Sequence, residues 1–373
     1  MRKKRLLFII WSFSYGGGAE RVLADLVNHL DKDKYDIFIL EYWFANKKIM
    51  EVNENIHVLP PVIDATKASK VEMIVKKFLL EHFPKVLRKK YLLKESFDYE
   101  ISFNCMIPTF LLSKNGKTIA WNHGDVYDLN LRDRKLQNGS FKNVNRIVAI
   151  SNNTYRSLVE LFPHYKEKTM VIPNAYDFDG IYKNCHDEIE LKKTKFTAIF
   201  AGRLDKNKNP LFLVNVARIL KENGNNFEFW FIGQGDLKED ILQKIKEYEL
   251  EDYVKLLGFK NNPYPYFNAS DIVVLSSKSE GFPSVLAEGL ILGKPFVSTL
   301  VGGVEELSQE GNNGYVAQTE EEYASKVELL INDKKLYTQM SKNGKEYISS
   351  YTFDKQIKAL ENLFKEIDDE EIK

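Results

Sequence analysis

At 373 residues the chain exceeds one ordinary core, since single domains cluster near ~100–200 residues, so two domains are expected. Lys plus Arg and Asp plus Glu each number 53, and this zero formal charge argues against a general nucleic-acid binder, which carries a basic excess. Two cysteines, Cys105 and Cys185, with no CxxC spacing, exclude a disulfide framework and point to a reduced, cytosolic setting.

Arg2-Lys3-Lys4-Arg5 precedes Leu6-Leu7-Phe8-Ile9-Ile10-Trp11, a pattern close to a signal peptide. The apolar run is short of the ~7–15 residues of a signal, and no small-residue cleavage site follows. A buried first strand is the better reading. No apolar stretch approaches the ~18–20 residues of a membrane span, so any meeting with a membrane is expected from the surface. The strand at residues 6–11 is broken by Gly16-Gly17-Gly18, and residues 19–30 follow as an amphipathic helix. Strand-like runs recur at 37–42, 99–103, 118–121 and 146–150. Ser151 is placed to cap a helix beginning at Asn152.

Between these runs, residues 67–94 are locally basic. Lys67, Lys70, Lys76, Lys77, Lys85, Arg88, Lys89, Lys90 and Lys94 stand against Glu72 and Glu81. Val71, Ile74, Val75, Phe78, Leu79, Leu80, Phe83, Val86 and Leu87 lie among them. A basic amphipathic helix of this kind lies on an anionic membrane surface, or else packs into a core with a solvated outer face; the sequence leaves both open.

The first half ends at Met170-Val171-Ile172-Pro173-Asn174-Ala175, and polar residues at about 176–195 read as a linker. The pattern restarts with a strand at 196–201 and a helix at 210–222, with Pro210 in its first turn. Strands follow at 227–232, closed by Gly233 and Gly235, and at 254–257, 271–276 and 296–299. A helix is expected at about 285–292, and residues 320–373 are mostly helical. Strands alternating with helices in both halves predict an α/β protein of two Rossmann-like, doubly wound domains facing across a cleft. The expected divisions are 1–178, 190–351 and a C-terminal helix at 352–373 that packs back towards the first domain.

Chemistry concentrates at strand ends. Ser279-Glu280-Gly281-Phe282-Pro283-Ser284-Val285-Leu286-Ala287-Glu288 follows a strong strand and opens a helix. Backbone N–H groups at residues 281–284, with the positive end of the helix dipole, make an anion site suited to a diphosphate. Glu288 lies about one turn into the helix, within reach of a ribose hydroxyl pair, and Glu280 is placed to accept from sugar hydroxyls. Either glutamate alone reads as an ordinary solvated carboxylate, and the combined context weighs against that. Gly202-Arg203-Leu204-Asp205-Lys206-Asn207-Lys208-Asn209-Pro210 also sits between a strand and a helix. Arg203 supplies a planar donor fork and Lys208 a point charge for the same diphosphate. Lys206 reads as solvated.

These segments resemble the retaining glycosyltransferases of family 4, which adopt the two-domain GT-B fold. The resemblance rests on Gly202-Arg203, Lys208 five residues after Arg203, Glu280-Gly281-Phe282-Pro283, and Glu288, and it extends over nearly the whole chain, including Pro173-Asn174. Gly16-Gly17-Gly18-Ala19-Glu20-Arg21 resembles the family's first loop, which implies donor contacts at Gly17 and Gly18. The loop also reads as a plain tight turn, and the third-glycine spacing of a dinucleotide fingerprint is absent. Trp121-Asn122-His123-Gly124-Asp125 follows another strand, and the resemblance assigns His123 to the donor sugar near the scissile bond. Asp125 either orients His123 or touches the acceptor.

The resemblance implies an acceptor-binding first domain, a nucleotide-sugar-binding second domain, and transfer of a hexose or N-acetylhexosamine from a nucleotide diphosphate sugar, a UDP-sugar above all. The implied acceptor is a glycan, polyprenyl-diphosphate-linked or another surface-polysaccharide precursor, met in the cytoplasm or at the inner membrane face. His123, Arg203, Lys208 and Glu280 are the expected catalytic set. Gly17, Gly18, Gly202, Arg203, Lys208, Glu280, Gly281, Phe282, Pro283, Ser284 and Glu288 are the expected donor contacts. No cofactor and no metal are expected, because cations and amides aimed at the departing diphosphate do a metal's task, at roughly 2.7–4 kcal/mol per preorganised donor in other enzymes. Retention of configuration comes from the resemblance alone. The alternatives are a nucleotide-sugar epimerase or a catalytically silent partner subunit on the same fold; the second is disfavoured by the presence of Arg203, Lys208 and Glu280.

Overall fold

The computed structural model describes residues 2–14, 18–45, 50–92, 95–104, 106–127 and 129–371. The chain divides into two compact units, Met1–Tyr176 with Tyr351–Lys373, and Asp177–Ser350. Gly16, Gly17, Lys94 and Cys105, singled out above, lie outside the described residues.

The first unit is built on a seven-stranded parallel sheet. Its strands run in the order Ile56–Val58, Tyr35–Glu41, Lys4–Ile10, Tyr99–Phe103, Lys117–Asn122, Arg146–Ala149 and Thr169–Val171. Leu6 through Ile10 are all buried, as expected for a parallel strand covered on both faces, and this is the physical reason the run is apolar without alternation. The chain starts in the middle of the sheet, builds one side, then crosses back and builds the other. The order therefore reverses between Lys4–Ile10 and Tyr99–Phe103, and in such sheets ligands bind outside the carboxyl ends of the strands at that reversal.

The second unit repeats the plan with six strands in the order Val254–Gly258, Phe227–Ile232, Phe196–Ala201, Ile272–Leu275, Phe296–Ser298 and Gly314–Val316. Its reversal lies between Phe196–Ala201 and Ile272–Leu275. Buried Phe200, Phe227, Phe229 and Tyr323 dominate the core here. The Tyr323 hydroxyl donates to the carbonyls of Val297 and Leu275 and accepts the Leu275 N–H at 3.1 Å, tying the end of Ile272–Leu275, beside the reversal, to the neighbouring strand. The polar stretch read as a linker opens with a helix, Phe178–Asn184, whose Asp177 cap accepts the Gly180 N–H at 2.9 Å.

Two elements of the first unit matter later. The basic segment is two helices, Lys70–His82 and Pro84–Leu92, not one. Phe83 separates them, since the residue before a proline is disfavoured in the helical region. One face is anchored: Leu80, Leu87 and Leu92 are buried, and Arg88 forks onto both oxygens of the buried Glu100 at 2.6 and 2.8 Å. The other face carries Val71, Ile74, Val75, Phe78, Phe83 and Val86 exposed to solvent. The second element is the helix Phe353–Glu371. Phe364 stacks on Tyr99 at 3.9 Å, and Asp368 accepts from Tyr99 at 2.5 Å and Lys117 at 2.7 Å, with Lys4 at 3.2 Å. Glu361 accepts from Tyr35 at 3.0 Å, and Glu370 pairs with Arg146 at 2.5 Å. Lys4, Tyr35, Tyr99, Lys117 and Arg146 each begin a strand, so this helix ties together the amino ends of five strands and leaves the carboxyl ends for other tasks. Among the described residues no helix is long and apolar enough to cross a membrane.

Candidate active site

In the second unit, the loops leaving the two strands at the reversal are stitched together. Asn207 Nδ2 donates to the Ser279 carbonyl at 3.1 Å, the Lys278 N–H to the Asn207 carbonyl at 2.8 Å, and Ser276 Oγ to the carbonyls of Lys208 and Asn209 at 2.9 and 3.0 Å. Asn209 adopts the left-handed conformation, φ +50°, immediately before Pro210 starts the helix Pro210–Glu222. These bonds bring the two sequence segments into one constellation.

Within it, Lys208 Nζ meets Glu280 Oε1 at 2.5 Å, and Ser277 Oγ donates to the same oxygen at 2.6 Å. Both members of the ion pair are largely buried, with side chains 20% and 15% exposed, so each charge holds the other in place. Arg203 differs: its side chain is 62% exposed and reaches Asp205 Oδ2 at 3.1 Å. Asp205 is a residue the sequence reading did not single out. Its Oδ1 accepts the N–H groups of Asn207 and Lys208 at 3.0 and 2.8 Å, an Asx-type turn that aims the lysine. Lys206 is exposed.

The helix beyond Glu280 is Ser284–Ile291, with Pro283 at its cap. This corrects the expectation of amide donors throughout 281–284, because a proline carries no N–H. The N–H groups of Ser284 and Val285 precede any intrahelical acceptor and are the first-turn donors. Phe282 is buried beneath the loop. Glu288 is met by Tyr264 Oη at 3.4 Å, a partner from the helix Tyr264–Ala269 that the sequence reading missed because only the fold brings it near.

Two glycines shape this end of the sheet by steric necessity. Gly302 has φ +45°, and a Cβ there would lie 2.3 Å from the Glu280 carbonyl oxygen. Gly233 has φ +145°, and its Cβ would fall 1.8 Å from the Gly202 carbonyl oxygen. Neighbouring loops therefore press directly on the backbone of Glu280 and Gly202.

The first unit's reversal is furnished otherwise. Glu41 ends its strand buried; its Oε2 accepts the Phe13 N–H at 2.9 Å and Ser14 Oγ at 3.0 Å, pinning the start of the glycine loop. Burial raises the Glu41 carboxyl above its ordinary range, against the lowering effect of those donors. Trp11 stacks on Trp43, centroids 6.1 Å apart and planes 4° from parallel. Gly18 begins the helix Gly18–His29, and a Cβ there would meet nothing within 4 Å.

His123 lies one residue beyond the strand Lys117–Asn122, its ring 4.2 Å from that of Phe103 and 6.3 Å from that of Trp121. Its Nε2 is buried and lacks a hydrogen-bond partner among the described residues. Burial pushes the imidazole down to about 3, so it is neutral throughout the physiological range. Asp125 accepts the Tyr127 N–H at 2.9 Å within a local turn, and Asn153 Nδ2 at 3.1 Å from the helix Asn152–Leu161. Two Asp-x-Asp spacings occur, and each has local bonds: Asp31 accepts the Asp33 N–H, and Asp177 caps its helix.

Two family models match adjoining parts of the chain. The model described as Glycosyltransferase Family 4 covers residues 16–179, and the one described as Glycosyl transferases group 1 covers 183–347. A Haemophilus influenzae protein described as an uncharacterized glycosyltransferase is 26% identical over 96% of this chain and 99% of its own length. A Campylobacter jejuni N-acetylgalactosamine-N,N'-diacetylbacillosaminyl-diphospho-undecaprenol 4-alpha-N-acetylgalactosaminyltransferase is 28% identical over 88% of this chain and 90% of its own. The crystal structure of Anabaena HepE in complex with UDP superposes with a TM-score of 0.72 at 17% identity, over 96% of this chain and 99% of the other, a likeness of fold. The two matched models, set on two parallel sheets with the stitched loops at one reversal, make this chain a member of the family-4 glycosyltransferases, with the GT-B fold.

Proposed function

We propose that the protein is a retaining, metal-independent glycosyltransferase that moves a hexose or N-acetylhexosamine from a UDP-sugar to a polyprenyl-diphosphate-linked glycan or a similar surface-polysaccharide precursor, at the cytoplasmic face of the membrane. The observation that carries this reading is the Lys208–Glu280 pair, set with Arg203 and the first turn of Ser284–Ile291 at the second unit's strand reversal. The diphospho-undecaprenol acceptor of the Campylobacter relative supports the acceptor class, and the UDP bound by HepE supports the nucleotide.

As the bond from the anomeric carbon to the phosphate oxygen breaks, positive charge develops on the sugar and negative charge on the leaving UDP. Arg203, exposed and paired with Asp205, swings to the diphosphate, while Lys208 and the Ser284 and Val285 amides meet the same charge. Glu280 uses Oε2 for a sugar hydroxyl, since Lys208 and Ser277 both meet its Oε1. Glu288 takes the ribose hydroxyls in exchange for the long Tyr264 contact. Neutral His123 holds a sugar hydroxyl near the anomeric carbon through a ring nitrogen, without donating a proton as an imidazolium. Gly17, Gly18 and Gly202 let backbone approach the donor closely, and the acceptor's nucleophilic oxygen attacks from the side that UDP leaves.

Calorimetry with UDP, GDP and ADP, followed by transfer assays with UDP-sugars and an undecaprenyl-diphosphate-linked acceptor in the presence of EDTA, tests the reading. Selective UDP binding and EDTA-resistant transfer are expected. Absence of binding by any nucleoside diphosphate overturns the donor site, and loss of transfer in EDTA overturns metal independence.

A further inference from the structure

Six of the fifteen large apolar side chains exposed among the described residues fall between Val71 and Val86. Such residues scattered singly are ordinary on a protein surface; a contiguous group marks a contact face. Val71, Ile74, Val75 and Phe78 follow the i, i+3, i+4, i+7 spacing, so they form one stripe along the helix Lys70–His82. Val71 and Ile74 are 70% and 68% exposed, the reverse of what core packing gives this spacing. Phe83 continues the stripe across the break, its ring 6.1 Å from that of Phe78, and Val86 extends it onto the helix Pro84–Leu92. The opposite face is fixed by Leu80, Leu87 and Leu92 and by the Arg88–Glu100 fork, so the hairpin cannot roll to hide the stripe.

The charges around the stripe select the partner. Lys70, Lys77, Lys85, Lys89 and Lys90 are exposed. The nearby acids are engaged: Glu72 pairs with Lys76 at 2.7 Å and Glu81 with Arg132 at 3.6 Å. A second copy of this face would bring lysines against lysines, whereas an apolar stripe rimmed by exposed cations complements anionic head groups above acyl chains. We infer that this helical hairpin is the membrane-docking face of the protein, with Val71, Ile74, Val75, Phe78, Phe83 and Val86 entering the interface of an anionic lipid bilayer and the lysines pairing with its phosphates. This rests on the membrane setting of the proposed function and identifies the surface that serves it. An apolar helix face of this kind sinks roughly 5–10 Å into the head-group boundary.

The test uses the full chain and vesicles that contain no acceptor. Flotation with phosphatidylglycerol–phosphatidylcholine vesicles is compared with phosphatidylcholine alone, for the parent, for Ile74→Asp with Phe78→Asp, and for Lys70→Gln, Lys77→Gln, Lys85→Gln and Lys89→Gln combined. The parent is expected to float with anionic vesicles and to release in high salt. The aspartate pair should lose binding at least about tenfold, since each charge would have to enter the apolar boundary. The glutamine set should lose the anionic preference, roughly fivefold per lysine. All six substituted positions are on the solvent face, and UDP binding, unchanged in both variants, reports intact folding. The inference is overturned if the parent ignores anionic vesicles, if the aspartate pair floats as well as the parent, or if that pair instead converts a dimer to a monomer in light scattering. Vesicle binding without UDP binding would count against the proposed donor site and leave this face standing.

Discussion

The carboxyl ends of the two parallel sheets occupy equivalent places in their folds and are furnished in opposite ways. In the second unit, Lys208, Glu280, Ser277, Asp205 and Asn207 bond to one another, and Gly233 and Gly302 let neighbouring loops press on the backbone beneath them. In the first unit a buried carboxylate, Glu41, pins the root of the glycine loop, and among the described residues His123 Nε2 has no partner and nothing lies within 4 Å of a Cβ placed on Gly18. One end is organised before a ligand arrives; the other keeps unmet bonding capacity and room. A charged diphosphate gains most from the first arrangement, because donors already in place need no reorganisation when charge develops. A varied glycan acceptor is better served by the second.

The largest effect that sharpens this contrast is expected at the ion pair. Lys208→Met should lower the transfer rate about 10²–10³-fold, as the loss of a preorganised donor does elsewhere. Glu280→Gln leaves Lys208 largely buried without its counter-charge and should also cost about 1–3 kcal/mol of stability. Steady-state rates and thermal unfolding separate the two effects. Equal, small effects of both substitutions would erase the difference between the two ends.

An intermediate effect comes from adding one methyl group. Gly302→Ala places a Cβ in a left-handed conformation against the Glu280 carbonyl and should cost about 1–3 kcal/mol, lowering the unfolding midpoint by roughly 2–4 °C per kcal/mol. Gly18→Ala should leave stability within about ±0.5 kcal/mol, since nothing stands where the methyl would go. If both variants melt like the parent, the second unit's end is looser than its contacts imply.

The smallest effect at neutral pH concerns His123. Its folded value of about 3 lies below the ordinary 6.5, so the unfolded chain takes a proton first as pH falls. The contribution is fully present above about pH 6.5 and is lost progressively between 6.5 and 3. His123→Phe should flatten that part of the stability profile while changing little at pH 8, and urea titrations at pH 8, 6 and 4.5 measure it. A variant profile parallel to the parent's would place His123 in water.

The features legible in the sequence are those fixed by neighbours along the chain. Phe196–Ala201, Phe227–Ile232 and Pro210–Glu222 have the bounds that their apolar runs and Pro210 in a first turn suggest. Ser151 caps its helix by accepting the Thr154 N–H at 3.0 Å. Glu280 and Lys208 could be picked out as residues, but their union depends on two crossing loops, and Tyr264 reaches Glu288 only through folding. Some local signals outweigh the pattern around them. Pro84 announced a break that the basic periodicity concealed, Asp177 announced a helix inside polar sequence, and Pro283 could never supply an amide.

The helix Phe353–Glu371 imposes an order of events on synthesis. Its contacts with the beginnings of five strands are made by residues that leave the ribosome after the whole of Asp177–Ser350. The second unit is contiguous and can close as soon as it emerges, while the first, though translated earlier, must wait with its sheet uncapped until Phe353–Glu371 has emerged as well.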